Sequence, residues 1–252
     1  MELLLIGIGT GNPEHLTLQA IRALNSADLV LIPSKGAEKA ELVHLRRTIC
    51  DEVLTNPATR VAGFEMPRRD AANPSYLDGV NDWHDAVARV WAETIAAHPG
   101  ADRVALLVWG DPALYDSSLR IAARLGAPVT VIPGLMSPQV LTAAHGIPLN
   151  ELGAPFLVTT GRRLREEGWP EGVDTLIVML DGDCAFATLP PEGISIWWGA
   201  YVGMEGQILD HGPLAEAGPR ILATRAAARA ERDWIMDIYL LRRCAETEPA
   251  RA

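Results

Sequence analysis

The chain has 252 residues, 48% of them hydrophobic and 21% charged, with three cysteines and a formal net charge of −10. That length permits one large domain or two of about 120 residues, each with its own core, and the apolar content excludes a disordered chain. The negative charge argues against a general nucleic-acid binder, which needs a basic face for phosphates.

The longest apolar runs, Met1 to Ile8, Val104 to Trp109 and Leu176 to Leu180, are far shorter than the ~20 residues that span a bilayer. Glu2 stands where a secretion signal wants basic residues. A cytoplasmic protein with no membrane segment is therefore expected. Cys50, Cys184 and Cys244 lie too far apart in sequence to read as a metal-ligand pattern or a CxxC pair, so no metal is expected.

In chain order, Leu3 to Ile6 reads as a buried strand ending in glycines. Thr17 to Leu24 has helical spacing, with Thr17 as N-cap. Asp28 to Pro33 is a second strand and Glu38 to Glu52 a helix. Thr55 to Ser75 reads as a long loop or lid, and Asp78 to Ala97 as a helix. Arg103 to Val108 is a strand, Ser117 to Leu125 a helix and Pro128 to Ile132 a strand. Pro133-Gly134 punctuates the chain and places a boundary between a 1–133 domain and a 134–252 domain. In the second half, Phe156 to Thr159, Thr175 to Leu180, Ile194 to Trp198, Ile221 to Thr224 and Trp234 to Leu241 all read as strands. Several strands in succession suggest a mixed sheet with antiparallel pairs. The fold class is α/β, in two domains with a cleft between them.

The loop Gly7-Ile8-Gly9-Thr10-Gly11 follows the first strand directly, a place where a ligand can approach the backbone closely. It departs from the dinucleotide pattern G-x-G-x-x-G, because the third glycine comes one position early. The second strand ends in Ile32-Pro33-Ser34-Lys35, with no acid for a ribose. Lys35 would suit a 2′-phosphate, so an NADPH-dependent oxidoreductase is an open alternative. Asn12 and Thr17 can each cap a short turn, giving a tightly folded loop in place of a smooth helix N-terminus.

Three segments in order resemble a known family. Gly7-Ile8-Gly9-Thr10-Gly11-Asn12-Pro13-Glu14-His15-Leu16-Thr17 resembles the opening motif of the tetrapyrrole methylases. Gly110-Asp111-Pro112-Ala113-Leu114-Tyr115 is similar to their second motif, and Val131-Ile132-Pro133-Gly134-Leu135-Met136-Ser137 to their third. Further segments resemble a branch that methylates C-1 of a corrin precursor and releases its acetyl group as acetate. They are Lys35-Gly36-x-x-Lys39 with Leu45-Arg46-Arg47, Tyr115-Asp116-Ser117-Ser118-Leu119-Arg120, Ala144 to Asn150, Met179-Leu180-Asp181-Gly182 and Trp197-Trp198-Gly199-Ala200-Tyr201. A sibling methylase acting at another carbon, on uroporphyrinogen, or on a protein or RNA site is the neighbouring reading.

The resemblance implies two αβα domains of the class III S-adenosylmethionine methyltransferase type, with the cofactor folded into the cleft and S-adenosylhomocysteine as product. It implies cofactor contacts at Gly9, Thr10, Trp109, Gly110, Asp111, Leu114, Met136, Ser137, Met179, Leu180, Gly199 and Ala200. Thr10 stands where many relatives have Pro, and Met136 where most have a small or hydroxyl residue. It also implies a tetrapyrrole substrate rich in carboxylates, and commonly a homodimer. The chain has 22 basic residues, of which only Lys35 and Lys39 are lysines. These two, with Arg46 and Arg47, are the substrate-binding candidates, and Arg162 and Arg163 come next. Trp197 and Trp198 alternate on a strand, so at most one flanks a macrocycle while the other packs.

Methyl transfer from a sulfonium needs alignment and no metal. Loss of the acetyl group needs a base for water and donors to an oxyanion. Asp111, Asp116, His145, Glu14 and His15 are the base candidates, and Tyr115 and Tyr201 the donor candidates. The sequence does not choose among them.

Overall fold

The computed structural model describes residues 1–34, 40–70, 75–232 and 234–243. The chain divides into two compact units, Met1–Met136 and Ser137–Ala252.

The first unit is a five-stranded sheet in the order β3-β2-β4-β1-β5, with all four pairings parallel. Its strands are β1 (Glu2–Gly7), β2 (Leu29–Ser34), β3 (Arg60–Glu65), β4 (Arg103–Val108) and β5 (Val129–Ile132). The central strands β1 and β4 are apolar on both faces, as a sheet covered on both sides requires. One face packs Leu3, Leu5, Leu29 and Leu106 against Val87, Ala88 and Trp91 of α3 (Tyr76–Ala96). The other packs Leu4, Ile6, Val30 and Leu107 against α1 (Leu18–Asn25) and α2 (Ala40–Val53). Asn12 caps a short 3-10 turn by accepting from Glu14 N, and Thr17 caps α1 by accepting from Ala20 N. Both follow the sequence expectation. So do the strands at Leu3, Asp28 and Arg103.

The stretch expected as a loop from Thr55 to Ser75 contains the edge strand β3. Only Ala62 and Phe64 of its six residues are buried, so it carries no apolar run for a sequence reading to find.

The second unit is a mixed sheet in the order β6-β7-β10-β8-β9. Its strands are β6 (Phe156–Thr160), β7 (Thr175–Met179), β8 (Ile194–Ala200), β9 (Ile208–Pro213) and β10 (Asp237–Arg243). The pair β6–β7 is parallel and the other three pairs are antiparallel, as the run of strands suggested. The expected strand at Ile221 to Thr224 is instead the middle of α7 (Leu214–Arg232). Its buried residues Leu214, Ala217, Gly218, Ile221, Arg225 and Ala228 fall three or four apart, which is a helical stripe. Pro219 inside that helix interrupts the sequence signal. The expected strand from Trp234 begins only at Asp237, because the Trp234 carbonyl is engaged by the Tyr201 hydroxyl at 2.7 Å. β9 was not anticipated. Its alternating half-exposed pattern is that of an edge strand.

Among the described residues, no helix is long and apolar enough to cross a membrane. No group of three His, Cys, Asp or Glu side chains among them could hold a metal ion. Lys35, Lys39 and Cys244 lie outside the described residues.

His84 on α3 is only 2% exposed, and neither ring nitrogen has a partner among the described residues. Burial, together with the Arg124 and Arg120 guanidinium groups, holds its pKa below the ordinary value. The unfolded chain takes up this proton near pH 6.5. The unfolded state therefore binds more protons between the folded value and about 6.5, and stability is lost as pH falls through that window. His84→Leu removes both unpaired nitrogens and this proton uptake. The fall in Tm between pH 7.5 and 5.5 should be smaller in His84→Leu than in the parent, read by calorimetry. An equal fall in both would show that His84 does not contribute.

Candidate functional site

The strands β4, β1 and β5 lie side by side, so the three motif segments that follow them meet at one edge of the parallel sheet. Ligands of open α/β sheets sit beyond the carboxyl ends of the strands. The loops here touch backbone to backbone. Gly9 N donates to Gly110 O at 3.2 Å, and Gly110 N donates to Gly9 O at 2.7 Å. A Cβ on Gly7 would stand 2.6 Å from Gly134 N and 2.8 Å from Gly110 O. A Cβ on Gly134 would run directly into Gly110 O. Only glycine fits at 7 and 134.

Asp111 locks this contact. Its Oδ1 accepts from Ala113 N at 2.8 Å and its Oδ2 from Gly134 N at 2.9 Å. Both carboxylate oxygens are thus committed to backbone amides, one of them in the third motif. Thr10 is buried and shares a 3.1 Å hydrogen bond with His15 Nδ1. Burial lowers the pKa of His15. Glu14 is exposed. Trp109 lies beneath the Arg46 guanidinium, 4.8 Å from carbon to ring centroid, and Leu114, Met136 and Ser137 are half-buried.

Tyr115 has φ +50° and is 46% exposed. A non-glycine residue held at positive φ with its side chain outward is a strain that surrounding structure must maintain. Asp116 Oδ1 accepts from Ser118 N at 2.6 Å. Arg46 is buried. Its Nε donates to Leu107 O at 3.2 Å and its Nη1 to Leu42 O at 3.3 Å. Burial lowers its pKa to about 10 while Asp116 opposes that shift, so it stays charged at neutral pH. Arg47 is exposed.

In the second unit, Met179-Leu180 ends β7 and Gly199-Ala200 ends β8. The two ends flank the start of β10, with Val178 opposite Tyr239 and Gly199 opposite Ile238. Leu180 has φ +53° and is 67% exposed, a second strained, outward apolar residue. Gly199 is enclosed by Leu141, Val202 and Leu209, and Ala200 lies in the core, so each offers only backbone to a ligand. Beneath them runs a buried polar network. Tyr239 donates to Asp181 Oδ2 at 2.5 Å, Arg225 Nη2 donates to Asp181 O at 2.9 Å, and Arg225 Nε reaches Asp237 Oδ2 at 2.8 Å. The Trp198 indole donates to the same Asp237 oxygen at 2.9 Å. Trp198 is therefore core. Trp197 faces the other side of the sheet under Arg242.

His145 closes α5 (Ser137–His145), and its Nε2 donates to Trp198 O at 3.0 Å. Burial keeps the ring neutral at pH 7, leaving Nδ1 as the lone pair. Tyr201 is buried at φ +52°, and its hydroxyl is spent on Trp234 O. That removes it as an oxyanion donor. Arg163 pairs with Glu167 at 2.8 Å, and Arg162 is exposed.

Residues 2–218 match the family model of Tetrapyrrole (Corrin/Porphyrin) Methylases. The chain is 48% identical to precorrin-6A synthase (deacetylating) from Sinorhizobium sp, over 97% of this chain and 96% of that protein. A crystal structure from Corynebacterium diphtheriae, described as cobalamin synthesis related (CobF), superposes with a TM-score of 0.81 at 39% identity, over 96% of this chain and 99% of that one. Uroporphyrin-III C-methyl transferase from Thermus thermophilus, complexed with S-adenyl homocysteine, shares the fold at a TM-score of 0.57 and 23% identity, over 96% of this chain and 97% of that one. The chain belongs to the tetrapyrrole methylases. Its parallel and mixed sheets are the class III methyltransferase fold that the motifs implied.

Asp111→Asn keeps the side-chain shape but turns one acceptor into an NH2 facing an amide N–H. Loss of a charge-assisted bond to a half-buried amide should cost about 2 kcal/mol, read by urea denaturation. Unchanged stability would show that Asp111 does not pin the third motif.

Proposed function

We propose that the chain is an S-adenosylmethionine-dependent methyltransferase, a precorrin-6A synthase (deacetylating). It methylates C-1 of precorrin-5 and releases the acetyl group as acetate in cobalamin biosynthesis. The observation that carries this reading is the 48% identity to such an enzyme over nearly the whole of both chains.

The residues present fit the cofactor. Gly110 turns at φ +63°, where a Cβ would meet only Leu135 O at 3.9 Å and Met136 Cα at 4.0 Å, and the Trp109 ring closes on Gly11 of the first motif. Leu180 presents an apolar side chain outward from a strained backbone. S-adenosylmethionine, when bound, supplies an electrophilic methyl group and leaves as S-adenosylhomocysteine. Gly9, Thr10, Trp109, Gly110, Leu114, Met136 and Ser137 hold it, largely through backbone groups. Asp111 acts through the loops it ties together. Met179, Leu180, Gly199 and Ala200 contribute apolar surface and backbone for an adenine ring. Arg46, Arg47, Lys35 and Lys39 bind the substrate.

Deacetylation is hydrolytic. The oxygen of water bonds to the acetyl carbonyl carbon, and the bond from that carbon to C-1 breaks. Its electron pair passes into the macrocycle, making C-1 the nucleophile that takes the methyl group. A base must take the proton of the water. Of the five base candidates, Asp111 has both oxygens engaged, His145 is anchored to the β8 backbone, His15 is bonded to Thr10 and Glu14 is exposed on the surface. Tyr115 serves better as an exposed contact than as a base. Asp116 has one oxygen on Ser118 N and stands in the field of Arg46. We assign it the base.

The chain acts in the cytoplasm, where the buried free thiols of Cys50 and Cys184 suit a reducing compartment, and it acts as a homodimer. Sedimentation equilibrium should give twice the 27.2 kDa of one chain. A single-chain mass would refute the dimer.

Thermal-shift assays should show stabilisation by S-adenosylhomocysteine and none by NADP. Stabilisation by NADP alone would restore the oxidoreductase reading. With labelled cofactor and precorrin-5, methyl uptake and acetate should appear in equal amounts. Methyl uptake without acetate would indicate a sibling methylase. Asp116→Asn should lower acetate release by about 10²–10⁴-fold, the usual worth of a general base.

A further inference from the structure

The first unit contains a cavity of about 190 Å³ beside the ends of β2 and β4, whose walls include Arg46, Trp83, Trp91, Trp109, Asp116 and Ser117. It holds roughly six waters at about 30 Å³ each, and lies below the ~300–1,000 Å³ of a site for a whole drug-sized ligand. It suits one small limb of a macrocycle and excludes the ring itself.

Two residues of its wall carry N–H groups with no acceptor among the described residues. Trp91 is 3% exposed and its Nε1 has no partner among the described residues. Buried indole N–H groups ordinarily find one. Arg46 uses Nε and Nη1 on the carbonyls of Leu107 and Leu42, and among the described residues nothing accepts from its Nη2. Its guanidinium is held flat over Trp109, 4.8 Å from the ring centroid. Trp83 also lines the cavity, but its N–H is spent on Pro67 O at 2.8 Å. The remaining walls are mostly apolar, with Phe64 and Met66 among them. An acceptor oxygen on a small apolar group complements these two donors and the apolar walls. The Asp116 carboxylate in the wall disfavours a resident anion, so a neutral carbonyl fits better than a ring carboxylate.

We infer that this cavity is the acyl subsite of the enzyme, with Arg46 and Trp91 donating to the carbonyl oxygen of the acetyl group that is lost. The inference rests on the deacetylating reading above. In the hydrolytic step the carbonyl π pair moves onto that oxygen as water adds. Two buried donors, one of them charged, stabilise the oxyanion before the bond to C-1 breaks and the pair passes to the ring. Asp116 takes the proton of the water from the adjoining wall. When Asp116 and the acetic acid formed have each passed a proton to solvent, their two negative charges meet, which favours release of acetate. Arg46 thus acts on the leaving acyl group and not on a peripheral carboxylate of the substrate.

The test compares Trp91→Phe, Arg46→Gln and Trp83→Phe with the parent, using S-adenosylhomocysteine binding to confirm that each is folded. The readouts are kcat for acetate release and KM for precorrin-5. Arg46→Gln should lower kcat by about 10²–10³-fold, the cost of one oxyanion donor. Trp91→Phe should lower kcat at least about tenfold with KM nearly constant, while Trp83→Phe, a matched loss of ring volume without a free donor, should lower it less than about threefold. Should Arg46→Gln fail to fold, the tryptophan pair decides alone. Equal effects at Trp83 and Trp91, or a raised KM with kcat unchanged, would overturn the acyl subsite. A parent enzyme that methylates precorrin-5 without releasing acetate would instead overturn the function on which it rests.

Discussion

The approach of Gly7, Gly110 and Gly134 is the contact on which the first unit's site depends. Three parallel strands end there, and their loops are pressed closer than any side chain permits. Close packing of this kind has no adhesive of its own, since backbone atoms at such distances gain little dispersion and must still satisfy their polar groups. Asp111 supplies the hold. Its two oxygens take the amides of Ala113 and Gly134, so one carboxylate orders the second motif and fastens the third to it. The reciprocal pair between Gly9 and Gly110 does the same for the first. The course of the backbone through these three loops follows from these four bonds.

The second unit solves a similar problem with buried charge. Asp181, Asp237, Arg225, Tyr239 and Trp198 form one hydrogen-bonded group under the strand ends. Burying such groups is costly unless every partner is present. Here Asp181 also takes the amides of Asp183 and Ala185, which fixes the turn after β7. That turn holds Leu180 in its left-handed conformation with its side chain outward. An exposed leucine on a strained backbone would be eliminated by relaxation if the network beneath did not forbid it. The same relation links Tyr115 to the ordered turn after β4.

Much of this was legible from the residues. The apolar runs of β1, β2 and β4 announce buried parallel strands, and the capping chemistry of Asn12 and Thr17 announces the turns that follow Gly11. The elements that escaped are those whose signal is set by tertiary context. β3 and β9 are edge strands with short or alternating burial, and α7 hides a helical stripe behind Pro219 and an Ile-Leu-Ala-Thr run that reads equally well as a strand. At the site, the motifs pointed to Asp111 but not to its task, since nothing in Gly-Asp-Pro reveals that the carboxylate reaches an amide 23 residues away. Trp91 had no motif at all. Its unpaired N–H emerges only once the helix is seen packed on the sheet.

The allocation of roles among the polar candidates follows from what each has already given away. A group whose lone pairs or protons are spent on backbone can position a loop but cannot also move a proton in each turnover. By that criterion Asp111 and Tyr201 are structural, and His145 is an anchor between α5 and β8 with a single nitrogen to spare. Arg46 divides itself. Two of its nitrogens and its π face fix it in place in the wall of a small cavity. A cation immobilised in this way loses no side-chain freedom when an oxyanion forms beside it, and preorganisation of that kind makes a buried donor effective. Arg47, the next residue of the same helix, is exposed and has no such immobilisation. The two adjacent arginines of one motif thus have opposite physical qualifications, one buried and fixed, the other at the surface.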